Sequence, residues 1–188
     1  WLRMTTAADE RALADGLTTA VQRAQQRMQE VAERKGLHGD MGSTLTMGYL
    51  SWPTLYLVHV GDSRAYLMRD GELFRLTRDH NLAEEMVRMG AMTPEEARRS
   101  RFASVLTNSV STSDQEIRVE LHQVDARQGD LVLLCTDGLY GEVDDKFIKS
   151  RLMHVVSPDL VEPCLSAMVK AALDNGGRDN VTAILARF

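Results

Sequence analysis

Between Asp9 and Lys35 apolar residues return every three or four positions: Leu13, Leu17, Ala20, Val21, Ala24, Met28 and Val31 fall on one side of a helical projection. The spacing predicts one long helix, with Gly36 as its C-terminal stop. The period then changes. Ser43 to Ser51 and Thr54 to Val60 are short apolar runs parted by Trp52-Pro53. Ala65 to Arg69 and Leu73 to Thr77 flank Asp70-Gly71, a dipeptide suited to a type I′ hairpin because both turn positions need positive φ. Strands joined by such short turns pair antiparallel, since a parallel crossover needs roughly a dozen residues or more.

Asn81 to Arg101 is polar and reads as helical, with Thr93-Pro94-Glu95-Glu96 forming a capping box that has proline at the first helical position. Ala103 to Val110, Glu116 to Val124 and Leu131 to Thr136 are predicted strands, the last two separated by a turn at Gly129-Asp130. Phe147 to His154 and Leu160 to Leu173 are predicted helices, and Asn175-Gly176-Gly177 ends the second. Val181 to Ala186 is a closing strand. This segregated order of helix, antiparallel strands, helices and final strand predicts an α+β sandwich with sheets inside and helices outside, unlike a doubly wound nucleotide-binding fold. No internal repeat or low-complexity linker divides the 188 residues, so one domain over 1–188 is expected.

Composition narrows the classes. Apolar residues make up 44% of the chain, enough for a core and too many for a disordered polymer. The net charge of −5, from 27 acidic against 22 basic residues, argues against a nucleic-acid partner, which a basic field would attract. No apolar run approaches the ~20 residues that span a bilayer. The N-terminus lacks the basic-then-apolar layout of a signal peptide. Cys135 and Cys164 sit in apolar runs without a CxxC pattern, so both read as reduced packing residues of a cytoplasmic protein. His38, His59, His80, His122 and His154 are scattered without ligand spacing.

Three aspartates share a setting. Asp62 follows the apolar run ending His59-Val60-Gly61 and precedes Ser63-Arg64; Asp137 follows Leu131 to Thr136 and precedes Gly138; Asp179 follows Gly176-Gly177-Arg178 and precedes Asn180-Val181-Thr182. Singly, each is an ordinary turn residue. Together, carboxylates at the edges of a buried sheet repel one another unless protons or cations neutralise them, and an all-oxygen set suits Mg²⁺ or Mn²⁺.

The chain resembles the metal-dependent type 2C protein phosphatases in their compact bacterial form. The matching stretches are Met41-Gly42-Ser43-Thr44-Leu45, Val60-Gly61-Asp62-Ser63-Arg64-Ala65-Tyr66, Leu76-Thr77-Arg78-Asp79-His80-Asn81, Leu134-Cys135-Thr136-Asp137-Gly138-Leu139 and Gly177-Arg178-Asp179-Asn180-Val181-Thr182. The resemblance implies two packed antiparallel sheets with helices on both outer faces, an α-β-β-α sandwich. It implies metal-dependent hydrolysis of phosphoserine and phosphothreonine in proteins, opposing a Ser/Thr kinase, by water activated at a centre of two Mn²⁺ or Mg²⁺ ions with a third, weaker one in many members. Asp137 and Asp179 match the metal ligands, and Asp62 matches the ligand of the additional metal, shared with Asp137. No covalent phosphoenzyme is implied, which leaves Cys135 without a nucleophilic role. Residues 78–101 match a mobile flap beside the active site. Gly138 and Gly61 read as points of close backbone approach or as plain turns. Asn180 reads as holding its loop, Arg64 as an ion-pair partner or a phosphate contact, and His80 as structural or catalytic. A monomer is expected.

Two departures stand out. In the complete family domain a basic phosphate-binding residue, a first acidic motif and an Asp-Gly aspartate bridging both metals precede the stretches seen here. The resemblance therefore implies an N-terminally truncated chain carrying the C-terminal share of the site, with sheet edges left unpaired and weak metal binding and little turnover by this chain alone. The alternative is a catalytically deficient pseudophosphatase or phosphoprotein-binding regulatory module. Asn108 stands where bacterial members commonly have a basic residue, which puts local substrate contacts in doubt.

Overall fold

The computed structural model describes residues 7–37 and 41–188. The N-terminal helical period becomes α1 (Ala7–Lys35), stopped as expected at Gly36, where the Leu37 N–H donates to the Ala32 carbonyl. Its buried stripe is Val21, Gln25 and Ala32, with Ala20 and Ala24 exposed. Gln25 is polar but has a partner there, since its side-chain amide donates to the Gln115 carbonyl at 2.9 Å.

Five strands follow: β1 (Gly42–Ser43), β2 (Leu45–Ser51), β3 (Thr54–Val60), β4 (Arg64–Arg69) and β5 (Glu72–Arg75). The β4–β5 turn has Asp70 at φ 52° and Gly71 at φ 77°, as a type I′ hairpin requires. The helical span expected over 81–101 is two short helices, α2 (Leu82–Arg88) and α3 (Pro94–Arg98). Asn81 caps the first, its Oδ1 accepting from Glu84 N at 2.9 Å, and the Thr93–Glu96 capping box starts the second.

The strand expected over 103–110 does not form. Arg101–Ser104 is a 3₁₀ turn, and strand β6 is confined to Val110–Ser111. The backbone of 105–107 instead bonds to the flap base, through Leu82 N to Val105 O at 2.9 Å and Thr107 N to His80 O at 2.9 Å. The next strand also starts later than expected, as β7 (Glu120–Asp125). Here the Asn108 side chain takes the place of a ladder partner, accepting from Arg118 N at 3.1 Å. β8 (Leu131–Cys135), α5 (Asp145–Leu152), α6 (Val161–Asp174) and β9 (Ala183–Arg187) lie close to their expected positions, and a single-turn helix, α4 (Asp137–Tyr140), forms where none was expected.

The strands form antiparallel sheets in the orders β2-β3-β7 and β5-β4-β8-β9, with β1-β6 as a separate pair. Period-two alternation builds the layers. Leu55 and Leu57 of β3 meet Ala65 and Leu67 of β4 and Val132 of β8 between the two larger sheets. Val58 and Val60 face the other way, onto Val21 of α1. Tyr66, Met68, Leu131, Leu133 and Cys135 pack on Leu139, Ile148, Leu152, Cys164 and Met168 of the C-terminal helices. The result is the expected α+β, α-β-β-α sandwich.

Candidate functional site

Strand register brings the three aspartates to one end of the inner sheet. Arg64 pairs with Cys135, and Cys135 with Ala183. Asp62 therefore precedes β4, Asp137 follows β8, and Asp179 precedes β9, all at the same sheet end. All three line one cleft of about 1230 Å³, which Arg98, Arg99 and Arg101 of the flap also line.

Hydrogen bonds tie the Asp137 and Asp179 turns together. Thr136 N donates to the Thr182 carbonyl at 3.0 Å, and Thr182 N donates to Thr136 Oγ1 at 3.1 Å. Thr136 Oγ1 in turn donates to the Asn180 carbonyl at 3.3 Å. One carboxylate oxygen of Asp137 accepts from Gly138 N at 3.0 Å, and one of Asp179 from Asn180 N at 2.6 Å. These bonds fix the orientation of both carboxylates.

Gly138 lets the two loops close. A Cβ there would collide with the Asn180 carbonyl oxygen and lie 2.8 Å from its carbon. Asn180 thus acts through its backbone. Gly138→Ala is expected to destabilise the protein by ~1–3 kcal/mol, the usual cost of overpacking, and to weaken divalent-cation binding because the loop carrying Asp179 must move. Urea denaturation and Mn²⁺ titration check the two effects. Gly61 has φ +107° and packs on Thr44 so closely that a Cβ would collide with the Thr44 side chain, which sets the turn into Asp62.

The electrostatics are those of crowded carboxylates. Asp62 is half-buried, and burial first, then Asp137, pushes its carboxyl up to about 6. Asp137 is raised too, by burial and then by Asp179, although its side chain reaches the exposed cleft surface. The nearby cations are already committed. Arg178 pairs with Glu142 at 2.8 Å. Arg64 spends Nε and Nη2 on Asp79, at 3.1 and 2.8 Å, and Nη1 on the Tyr66 hydroxyl at 3.1 Å. Those bonds are the geometry of an ion-pair partner, on a residue that also lines the cleft.

The three carboxylates make an all-oxygen, negative donor set, which fits a hard divalent cation. Among the described residues no group of three His, Cys, Asp or Glu side chains closes around one point. The carboxylates are thus arranged as an open set, suited to ions that keep several waters.

His80 is buried and serves the frame. Its backbone N–H donates to the Gly61 carbonyl at 2.7 Å, while its Nδ1 accepts from Gly61 N at 3.1 Å and from Asn108 Nδ2 at 2.8 Å. The Asn108 amide also donates to the Arg118 carbonyl at 2.7 Å, so this departure from the family pattern fills a structural position. Cys135 and Cys164 are free and buried, and burial pushes the Cys135 thiol up to about 12, far from thiolate chemistry at neutral pH.

Two participants escape sequence reasoning. Asp79 is buried between Arg64 and Arg75, and Tyr140 donates its hydroxyl to the Asp62 carbonyl at 2.8 Å. The available signals were an acid between Arg78 and His80, and a tyrosine one turn beyond Asp137.

Four layers with an acidic, oxygen-lined cleft at one sheet end define an α-β-β-α sandwich protein with a candidate divalent-cation centre. The chain belongs to the protein phosphatase 2C family, which it matches over residues 3–180. It is 39% identical over 146 residues to the serine/threonine protein phosphatase PstP of Mycobacterium tuberculosis, covering 78% of this chain and 27% of that protein. It is 31% identical over 161 residues to the protein phosphatase PhpP of Streptococcus pneumoniae, covering 85% of this chain and 63% of that one. The catalytic domain of PstP solved in complex with two manganese ions superposes with a TM-score of 0.80 at 35% identity, over 93% of this chain and 71% of that structure. The chain thus spans less than two thirds of these two relatives' lengths. Among the described residues no helix is long and apolar enough to cross a membrane.

Proposed function

We propose that this chain serves the metal-dependent hydrolysis of phosphoserine and phosphothreonine in proteins. Asp137 and Asp179 would hold Mn²⁺ or Mg²⁺, and Asp62, together with Asp137, a further ion. The observation that carries the reading is the register of β4, β8 and β9, which delivers three mutually repelling carboxylates to one cleft. When bound, the cations supply the positive charge that neutralises a phosphoryl group and makes water acidic enough to attack it.

The chain's own residues account for the rest. Gly138 and Asn180 N–H groups hold the Asp137 and Asp179 carboxylates in fixed orientations. Thr136 locks the two turns at one spacing. Because Arg64 and Arg178 are already paired, an anionic phosphate meets uncompensated negative charge at the cleft floor and needs the cations to enter. Arg98, Arg99 and Arg101 offer positive charge on the flap side to an arriving phosphoprotein. A Ser/Thr kinase that loads the same hydroxyls is the opposing partner, and a cytoplasmic monomer the working form.

Phosphate release from a phosphoserine peptide, measured with and without Mn²⁺, tests the reading. A low turnover is expected from this chain with Mn²⁺, and none with chelator. In Asp137→Ala and Asp179→Ala the loss is expected to exceed the ~10–100-fold typical of removing a metal ligand's supporting partner. Undiminished turnover in both variants would sink the assignment, and Mn²⁺-dependent capture of the peptide without release would mark a phosphoprotein-binding module.

A further inference from the structure

Tyr140 connects two carboxylate-bearing turns that are far apart in sequence. It lies one turn beyond Asp137 in α4, and its hydroxyl donates at 2.8 Å to the backbone carbonyl of Asp62. Its ring is held in place in turn. The Arg64 guanidinium lies 3.6 Å from the ring centroid and is anchored on Asp79, which also accepts from Arg75 at 2.6 Å. Arg75 reaches on toward Glu84 of α2, at 3.7 Å.

We propose that Tyr140 is a positioning residue that fixes the separation between Asp62 and Asp137. The phenol is a rigid arm with two side-chain torsions, and one of its ends is fixed by the helix that begins at Asp137. Its other end grips the Asp62 main chain, leaving that carboxylate free for a ligand. The β4–β8 ladder ends at Arg64 and Cys135, and beyond it like charges on the two turns repel, where this bond ties one turn directly to the other. The inference rests on the reading that these carboxylates hold divalent cations.

Tyr140→Phe keeps the ring and its stack on Arg64 and deletes the hydroxyl alone. Tyr66→Phe is the control, because it removes a hydroxyl from the same network, bonded to Arg64 and Asp145, without touching Asp62. Mn²⁺ affinity of the chain is read by electron paramagnetic resonance of the free ion, alongside a melting curve for each variant. Tyr140→Phe should bind the ion associated with Asp62 ~3–10-fold more weakly, the effect of one hydrogen bond, while Tyr66→Phe leaves that affinity unchanged. Equal Mn²⁺ affinity in Tyr140→Phe and wild type overturns the positioning role and leaves the metal reading standing. Equal weakening in both variants also overturns it, since a general loss of packing would then explain the data. A wild-type chain that binds no Mn²⁺ overturns the metal reading and this inference with it.

Discussion

Asp137→Asn is expected to raise the thermal stability of the metal-free protein while abolishing its response to Mn²⁺. Asp137 is the middle member of the acidic set. Its charge contributes to raising the Asp62 carboxyl, and its own carboxyl is raised by burial and by Asp179. An asparagine keeps the size of the side chain and an oxygen to accept from Gly138 N, which Asp137 now does at 3.0 Å. It removes one negative charge from a cleft that has too many. Relief of the repulsion should lift the melting temperature by ~1–4 °C, the shift that a stabilisation of up to about 1 kcal/mol gives at this size. The wild type should gain about 2.7 kcal/mol from Mn²⁺ at a hundred times its dissociation constant, or ~5–10 °C, and the variant should gain little of this. Stability and metal response therefore move in opposite directions, as functional residues under strain commonly do. Calorimetry with and without Mn²⁺ reads both. A variant that melts lower and keeps the full Mn²⁺ gain would mark Asp137 as an ordinary turn residue.

The second large effect is on pH. His59 is fully buried between the two larger sheets, and burial above all lowers its pKa to about 4. Its Nε2 lies 2.8 Å from the Arg78 carbonyl, its Nδ1 2.9 Å from Thr46 Oγ1, and its ring centroid 4.8 Å from that of His80. His80 opposes a charge on it, whereas Glu120 and Asp79 favour one, and burial outweighs both. The unfolded chain takes up a proton on this ring near pH 6.5 and the folded one only near pH 4. Its contribution to stability is therefore complete above pH 6.5 and lost as pH falls through this window, by about 3 kcal/mol. Other carboxylates titrate in the same range, so the difference between wild type and His59→Gln isolates the ring. Urea midpoints from pH 7.5 to 4 should converge as pH falls. Parallel curves for the two proteins would show that the ring carries no such penalty.

The sandwich is legible in the sequence because β3, β4 and β8 are short, largely apolar runs, each buried on both faces. Leu55 and Leu57 go to one neighbour while Val58 and Val60 go to the other, and a slip of one residue would reverse them. The flap is read less well. Residues 103–110 look like a strand by composition, yet Val105 and Thr107 bond to Leu82 and His80 of the flap base and the Asn108 side chain bonds to the Arg118 backbone, leaving only a two-residue strand. Local periodicity cannot report bonds made to a segment elsewhere in the chain.

The same limit divides the site. Asp62, Asp137 and Asp179 stand out because each terminates or precedes an apolar run, and the sheet register then brings them together. Tyr140 and Asp79 do not stand out, since their partners lie on other strands. The histidines look scattered, but His80 and His122 converge on Glu120, at 3.1 and 3.5 Å. With Nδ1 of His80 already accepting two bonds, that convergence belongs to the frame holding the flap base against β7.

Crystals of this chain soaked in Mn²⁺ and measured at the manganese absorption edge test the central claim most directly. The account predicts an anomalous peak within coordination distance of a carboxylate oxygen of Asp137 or Asp179, with a weaker peak beside Asp62 at higher Mn²⁺. A strongest peak away from all three aspartates would contradict it.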